Sequence, residues 1–203
     1  KQSSMGSVMT MRKLQANDFI TRDEWGKIRH DQRRAIIKYK QGRRLEIGPF
    51  ATVLFENFKT MRYQVQEMLY IEGGGEAQLA EELNAYNPLI PDGNELVATV
   101  LFEIENQERR RHILSELGNI ETHMFIRFAE HQISGVPEAD LDRTDASGKA
   151  SSVQFIHFPF TQKAQDEFVQ AAEVMIGFDH PSYHHIAVLP AAIRANLVGD
   201  FAR

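Results

Sequence analysis

The chain has no cysteine among its 203 residues. Disulfide bonds, thiolate catalysis, iron–sulfur clusters and cysteine-based zinc sites are therefore excluded. No apolar run approaches the roughly 20 residues that a helix needs to span a bilayer, and the N-terminal residues lack the apolar segment of a secretory signal. We therefore expect a cytoplasmic protein that does not associate with membranes.

The signatures of several common enzyme classes are also missing. There is no Gly-x-Ser-x-Gly, which marks many serine hydrolases, and no His-Glu-x-x-His, which marks zinc proteases. The run Gly73-Gly74-Gly75 is not followed by the Gly-Lys-Ser/Thr of a phosphate-binding loop, so it predicts a flexible turn. The sequence therefore names neither a reaction nor a cofactor, and whether the protein is an enzyme stays open.

The length and composition are those of one globular domain. Hydrophobic residues make up 42% of the chain, an ordinary share for a protein with a packed core. Residues 1–10 are rich in Ser, Gly and Met, and we interpret them as a disordered leader or as residues added to the natural protein. We predict a single domain over residues 11–203.

The charge is unevenly distributed along the chain. Residues 22–44 contain nine basic and three acidic residues, so this segment is net basic while the whole chain has a net charge of −5. A basic helix can be a solvated face, or it can dock an acidic partner or phosphates. Nucleic-acid binding is not expected, because the chain as a whole is acidic. The candidate docking residues are Arg29, Arg33, Arg34, Lys38, Arg43 and Arg44.

The first third of the chain predicts a helix, a hairpin and two more helices. Thr21 and Glu24 form a capping box, and the apolar spacing after them predicts a helix over about 22–41. Residues 45–56 read as a strand or hairpin broken by Gly48-Pro49. A helix is expected from near Thr60 to the glycine run, and a shorter one up to Asn87-Pro88. We interpret the basic segment 22–44 as an N-terminal helical arm, lying on the domain or on a partner.

The remaining residues predict mainly strands. Residues 96–105 alternate, with Leu96 and Val100 on one face and Val97 and Thr99 on the other. Residues 153–160 are apolar on both faces, which predicts a central strand. Further strands and helices are expected at 106–117 (helix), 124–136 (hairpin), from Thr161 (helix), at 174–178 and 184–189 (strands), and after Pro190 (helix). Because strict strand–helix alternation is missing, we expect an α+β fold with a mainly antiparallel sheet and helices packed on it.

One cluster of polar residues stands among apolar, core-type positions. Buried amides and carboxylates must pair with each other or with a ligand. If the helix after Glu56 folds back over the end of the preceding strand, the carboxylates of Glu56 and Glu67 converge and enclose a cavity. Such a site can bind a small ligand, transfer protons or hold a metal; the alternative is an internally satisfied hydrogen-bond network. The candidate ligand-binding residues are Glu56, Asn57, Tyr63, Gln64, Gln66, Glu67, Tyr86 and Asn87.

The eight histidines leave the metal content open. His123 and His131 could meet across a hairpin, and His180 and His184 flank a turn, which would suit a transition metal. No recognised metal-binding spacing accompanies them. His157 lies in an apolar strand, where a hydrogen-bonded core histidine is the simpler interpretation.

Several short runs resemble a bacterial family catalogued only as a domain of unknown function. The runs are Ile47-Gly48-Pro49, Phe55-Glu56-Asn57, Tyr63-Gln64-Val65-Gln66-Glu67-Met68-Leu69, Ala85-Tyr86-Asn87-Pro88-Leu89-Ile90-Pro91 and Asp179-His180-Pro181 with Tyr183. Members of the family are often encoded beside a rubrerythrin and an iron–sulfur oxidoreductase of the heterodisulfide-reductase type. The resemblance therefore implies, by association, a link to peroxide defence or electron transfer. It supplies no catalytic residue.

These observations lead to three functional hypotheses. The first is a cytoplasmic accessory protein of a redox or oxidative-stress system, which binds a small ligand in the polar cluster or an acidic redox protein at the basic arm. The second is an enzyme that depends on a metal or on the carboxylates of Glu56 and Glu67. The third is a structural subunit, or a homodimer in which the arm packs on its neighbour, with no ligand site.

Overall fold

Two antiparallel sheets and six α-helices form the part of the chain that the structure, a computed structural model, describes: residues 12–139 and 147–201. The predicted leader, residues 1–10, lies outside the described residues, as do residues 140–146. The described part of the chain contains no helix that is both long and apolar enough to cross a bilayer.

The helices and strands fall close to the predicted positions. The helices are α1 (Arg22–Gln41), α2 (Phe58–Glu72), α3 (Gly75–Tyr86), α4 (Gln107–Glu116), α5 (Gln162–Gln170) and α6 (Ala191–Leu197). The strands are β1 (Arg44–Ile47), β2 (Ala51–Glu56), β3 (Glu95–Phe102), β4 (Met124–Phe128), β5 (His131–Ser134), β6 (Val136–Pro137), β7 (Val153–Pro159), β8 (Met175–His180) and β9 (Tyr183–Val188).

The strands pair in two separate sheets. The first has the order β1-β2-β3-β7-β6 and the second the order β5-β4-β8-β9, and every pairing is antiparallel. The α+β class and the antiparallel pairing are thus confirmed. The strand predicted to be central, β7, lies beside β6, which spans only two residues. The middle of the first sheet is β3 instead.

The alternation of β3 separates two apolar cores. Leu96, Ala98 and Val100 belong to the larger core, which is shared with buried residues of the second sheet. Val97 faces the opposite way, into a smaller core with Met61 and other residues of the α2 region. The period of two thus places one face of the first sheet against the second sheet and the other face under α2.

The basic segment packs on the domain. Helix α1 begins with the predicted capping box, in which Thr21 accepts a hydrogen bond from the Glu24 amide and the Glu24 carboxylate accepts one from the Thr21 amide. Trp25 and Ile36 are buried, and the Trp25 ring meets the Tyr63 ring of α2 edge-on, with 5.8 Å between centroids. The expected arm is therefore a helix laid along α2.

Tyr183 ties the first sheet to the second. Its hydroxyl donates to the carbonyl oxygen of Ile47 at 2.6 Å and accepts hydrogen bonds from the amides of Phe50 and Ala51 at 3.0 and 2.9 Å. These groups belong to the β1–β2 turn, where Gly48 has a φ of 66°. The turn is thereby fixed against β9.

Candidate functional site

A cleft of about 250 Å³ lies between the first sheet and helices α2 and α3. Its apolar walls are Leu54, Met61, Leu89, Leu101, Val153 and Phe155. Its polar lining residues are Lys40, Glu56, Gln64, Tyr86 and Thr99. The strand register explains this composition, because Leu54 pairs with Thr99 and Thr99 with Phe155, so that three strands present these side chains on one face.

Glu56 is the most deeply buried polar group of the cleft. The residue is 3% exposed, although it carries a carboxyl group. Its Oε1 accepts a hydrogen bond of 2.7 Å from the Thr99 hydroxyl. Its Oε2 is buried and has no hydrogen-bond partner. The Thr60 hydroxyl lies nearby but donates its hydrogen to the Asn57 carbonyl oxygen, at 3.0 Å.

Burial raises the pKa of Glu56 above its ordinary value. The hydroxyls of Thr60 and Thr99 and the charges of Lys40 and Arg43 oppose this rise without cancelling it. A carboxyl group with so little access to water favours its neutral form, because desolvation penalises the charged one. The environment therefore promotes retention of a proton on Glu56.

Tyr86 and Gln64 close the cleft from the helical side. Burial raises the pKa of Tyr86, and the neighbouring Glu82 raises it further, while hydrogen bonding with Gln64 opposes both. Tyr86 therefore keeps its hydroxyl proton at neutral pH, where tyrosine is ordinarily protonated. With Gln64 it provides neutral hydrogen-bonding groups opposite Glu56.

The predicted site residues divide into two sets. Glu56, Gln64 and Tyr86 come together in the cleft as expected. The other five do not line it. Tyr63 contacts the Trp25 ring, and Asn57 caps α2, accepting hydrogen bonds from the amides of Lys59 and Thr60 while it donates to the Tyr39 hydroxyl.

Two of the predicted amides hold the chain segment that precedes α1. Gln66 donates to the carbonyl oxygen of Ile20 and accepts from its amide, at 3.1 and 3.0 Å. Asn87 makes the same pair of bonds with Leu14, at 3.1 and 2.7 Å. Each side-chain amide thus satisfies both main-chain groups of one residue, which is a structural role.

The predicted convergence of Glu56 and Glu67 is wrong. Glu67 faces α1, where its carboxylate accepts hydrogen bonds from Trp25 Nε1 at 2.7 Å and from Arg29 Nη2 at 2.9 Å. Burial alone would raise the pKa of Glu67, but the Arg29 and Trp25 bonds lower it below its usual value. On α2, Glu67 and Tyr63 form the stripe toward α1, and Gln64 belongs to the neighbouring stripe.

The six predicted docking residues also divide. Arg43 is 1% exposed and forms an ion pair with Asp200, so its predicted place on a docking surface is wrong. Arg29 is engaged by Glu67. Arg34 pairs with Asp31 and Arg44 with Glu103, both at the surface.

Arg33 and Lys38 remain exposed on α1. Neither forms an ion pair with any residue in the described ranges. These two cations are therefore the members of the predicted set best placed to meet an acidic partner.

Three histidines bind different carboxylates, and the rings of His123 and His180 meet edge-on, with 4.9 Å between centroids. His123 binds Asp179 and His131 binds Glu167, each at 2.9 Å, and the two histidines flank opposite ends of β4, so they do not meet. His157 binds Glu95 with one ring nitrogen and Glu138 with the other. Within residues 12–139 and 147–201, no three His, Asp or Glu side chains are grouped to hold a metal ion.

Two polar residues of the cleft, Lys40 and Thr99, are not among the predicted site residues. Thr99 could be recognised from the sequence, because it is a hydroxyl residue in an otherwise apolar strand and lies on the same face of that strand as Val97. Lys40 is one of the nine basic residues of segment 22–44, and its place in the cleft depends on how α1 returns to β1. That return is a tertiary feature with no local signal.

Comparison with known families shows to which family the chain belongs. A family model described as "Protein of unknown function (DUF3501)" matches residues 13–201. The chain belongs to this family. Its predicted membership in a family of unknown function is thereby confirmed, and the match carries no information on gene neighbourhood.

A solved structure resembles this DUF3501 protein closely. It is the crystal structure of a novel protein of unknown function from Burkholderia pseudomallei, 34% identical in sequence, with a TM-score of 0.87 over 94% of this chain and 100% of the other. No protein with curated function matches the DUF3501 chain. The likeness therefore supports the fold and leaves the function to be inferred from the cleft.

Proposed function

We propose that this DUF3501 protein binds a small ligand in the cleft between β2, β3 and α2. The observation that carries the proposal is the Oε2 atom of Glu56, which is buried without a hydrogen-bond partner. Buried polar side-chain atoms in native proteins are almost always bonded, and an exception calls for an explanation. A bound ligand that accepts or donates a hydrogen bond at Oε2 provides one.

The size of the cleft limits the ligand. An engineered apolar cavity of about 150 Å³ admits benzene, and sites for drug-sized ligands begin at about 300 Å³. At about 250 Å³, the cleft suits a compact molecule larger than benzene. Its walls are apolar and its polar groups are few, which is the usual composition of a small-molecule site.

A neutral aromatic probe tests the proposal. Benzyl alcohol, titrated while backbone amide shifts are followed by NMR, is expected to perturb Thr99 and Tyr86. Leu101→Trp fills the cleft and should abolish these shifts. Ile186→Trp, an exposed position on β9, serves as the control and should leave them unchanged. Absence of shifts in the parent protein, or their persistence in Leu101→Trp, would overturn the proposal.

We further propose that the protein is a cytoplasmic accessory component of a redox or oxidative-stress system. The motif resemblance supports this setting, and the exposed cations of α1 support an acidic redox protein as partner. Affinity for a rubrerythrin, the kind of redox protein that the motif resemblance suggests as a partner, should fall steeply with salt. Replacing Arg33 and Lys38 by Gln should reduce both the affinity and its salt dependence. Binding that does not respond to salt contradicts the docking proposal and leaves the cleft proposal intact.

One observation favours a second function, acid–base catalysis by Glu56. A carboxyl group with a raised pKa, in a cleft that a lysine also lines, is the kind of group that transfers protons in enzymes. Catalysis by a pair of carboxylates, Glu56 and Glu67, is not supported, because Glu67 faces α1 and does not line the cleft. A metal-dependent version predicts stoichiometric metal in elemental analysis of protein purified without a histidine tag. If the protein is a purely structural subunit, the cleft should bind none of the probes.

A further inference from the structure

The polar groups of the cleft are unevenly divided between hydrogen-bond donors and acceptors. When Glu56 is neutral, its Oε1 already accepts the Thr99 hydroxyl. The acid proton is then best placed on Oε2, the atom that lacks a partner. A neutral carboxyl group held this way keeps an unused O–H donor on a residue that lines the cleft.

Lys40 adds a second donor, and a positive charge. It lies in the last turn of α1 and lines the same cleft as Glu56. Its charge acts on Glu56 without a hydrogen bond between the two side chains, so each group is free to bond a different atom of a ligand. Because Glu56 is the only carboxylate among the lining residues, the lining with neutral Glu56 has a net positive charge, while Glu82 and Glu72 act on Tyr86 from outside the lining.

From this arrangement we infer that the cleft selects a small monocarboxylate with a compact apolar tail, held between Lys40 and Glu56. This inference rests on the proposed ligand-binding function. One carboxylate oxygen accepts from Glu56 Oε2, and the other from the Lys40 ammonium. Both are charge-assisted bonds, which are stronger than neutral ones. The tail packs against Met61, Leu101 and Phe155.

The same geometry disfavours other ligand classes. An amine would meet the Lys40 charge and a donor where it needs an acceptor. A phosphate needs several donors and neutralising cations, whereas the cleft has one lysine and mostly apolar walls. A neutral amide can pack against the apolar walls and form hydrogen bonds with Gln64 or Tyr86, but it has no negative charge to attract Lys40. The expected order of affinity is therefore carboxylate, then neutral amide, then amine.

Three aromatic probes of similar size test this order by calorimetry: benzoate, benzamide and benzylamine. Benzoate should bind at least about tenfold more tightly than benzamide, a ratio that corresponds to one charge-assisted bond. Lys40→Met should remove this preference and leave benzamide affinity within about twofold. The matched control is Lys38→Met, also in the last turn of α1 but outside the cleft lining, and it should change neither affinity.

A pH series separates the role of Glu56 from that of Lys40. The charged or titratable groups that face Glu56 are Lys40, Arg43 and Tyr86. Benzoate affinity should decline as pH rises and Glu56 ionises, since two carboxylates then repel each other. Glu56→Gln keeps a donor and cannot ionise, so its benzoate affinity should stay constant over the same pH range. Circular dichroism confirms that each variant is folded.

The outcomes distinguish this inference from the proposed function. Equal affinity for benzoate and benzamide overturns carboxylate selection while small-ligand binding stands. No binding of any of the three probes overturns both. An equal loss of benzoate affinity in Lys38→Met and Lys40→Met would show a general effect of surface charge and would overturn the inference. Tighter binding of inorganic phosphate than of benzoate also overturns it.

Discussion

Arg43 and Asp200 form an ion pair in the interior, although 157 positions separate them in the sequence. Their side chains are 1% and 3% exposed. Arg43 also donates to the carbonyl oxygen of Phe55 at 2.8 Å and to that of Glu56 at 3.3 Å. The pair therefore connects the C-terminal end of the described chain to the strand that positions the cleft carboxyl group.

Removal of Arg43 should destabilise the protein strongly. Arg43→Ala leaves Asp200 buried without its cation, and breaking a buried pair in this way costs about 3–5 kcal/mol. Arg44→Ala removes a neighbouring arginine whose pairing with Glu103 is exposed, and it should cost at most about 1 kcal/mol. Urea denaturation of the two variants makes the comparison. Similar losses would contradict the structural role of the buried pair.

The raised pKa of Glu56 predicts how stability depends on pH. The folded state binds the proton more tightly than the unfolded state, whose value is near 4.5. The contribution of Glu56 to stability is therefore fully present below that pH and is lost as pH rises through the folded value. Glu56→Gln removes this dependence, so the melting temperature of the variant should rise relative to that of the parent as the pH increases above about 4.5. Glu81→Gln, at an exposed position on α3, is the control; a constant difference across pH for Glu56→Gln would refute the prediction.

The paired histidine His157 predicts a second pH dependence. Burial of its ring lowers its pKa, but hydrogen bonds and charges of Glu95 and Glu138 outweigh burial and raise it above 6.5. The stabilisation by His157 is thus complete below about 6.5 and declines as pH rises through the folded value. Relative to the parent, His157→Gln should be less stable at pH 6 and lose this deficit at alkaline pH. Thermal melts with exposed His184→Gln as control measure it, and a deficit that does not shrink would exclude the doubly bonded imidazolium.

Replacement of Glu67 distinguishes a structural residue from a site residue. Glu67→Gln deprives Arg29 of its charged partner and weakens the bond to Trp25. The lowered pKa of Glu67 means that its contribution to stability is present above about 4.5 and is lost as pH falls. The variant should therefore melt at a lower temperature at pH 7, with the difference shrinking toward pH 3. Its benzyl alcohol binding should be unchanged; a loss of binding without loss of stability would return Glu67 to the site.

Local signals in the sequence were sufficient for most helices and strands. The capping box at Thr21 fixed the start of α1 within one residue, and alternation placed Thr99 on the outer face of β3. The glycine run ended α2 at Glu72, since Gly73 adopts the left-handed conformation there. These features depend on neighbours within a few positions, so a single sequence reveals them.

Features that depend on distant pairing were not predictable in the same way. The division into two sheets requires β4 to pair with β8, about 50 positions later, and no local pattern specifies that partner. The position of Glu67 depends on Arg29, which lies 38 positions earlier. Of the predicted polar cluster, only Glu56 on β2, Gln64 on α2 and Tyr86 on α3 line the cleft. Composition shows that such groups need partners, whereas tertiary packing decides which partners they find.

The conformation of the β1–β2 turn depends on the Tyr183 hydroxyl of β9 as well as on the pairing of its own two strands. The amides of Phe50 and Ala51 bond to a side chain that β9 supplies, so both can exchange with solvent only when β9 releases them. Hydrogen–deuterium exchange at these two positions is consequently a reporter of the junction between the sheets. In Tyr183→Phe the same amides should become labile while those in the middle of β3 stay protected.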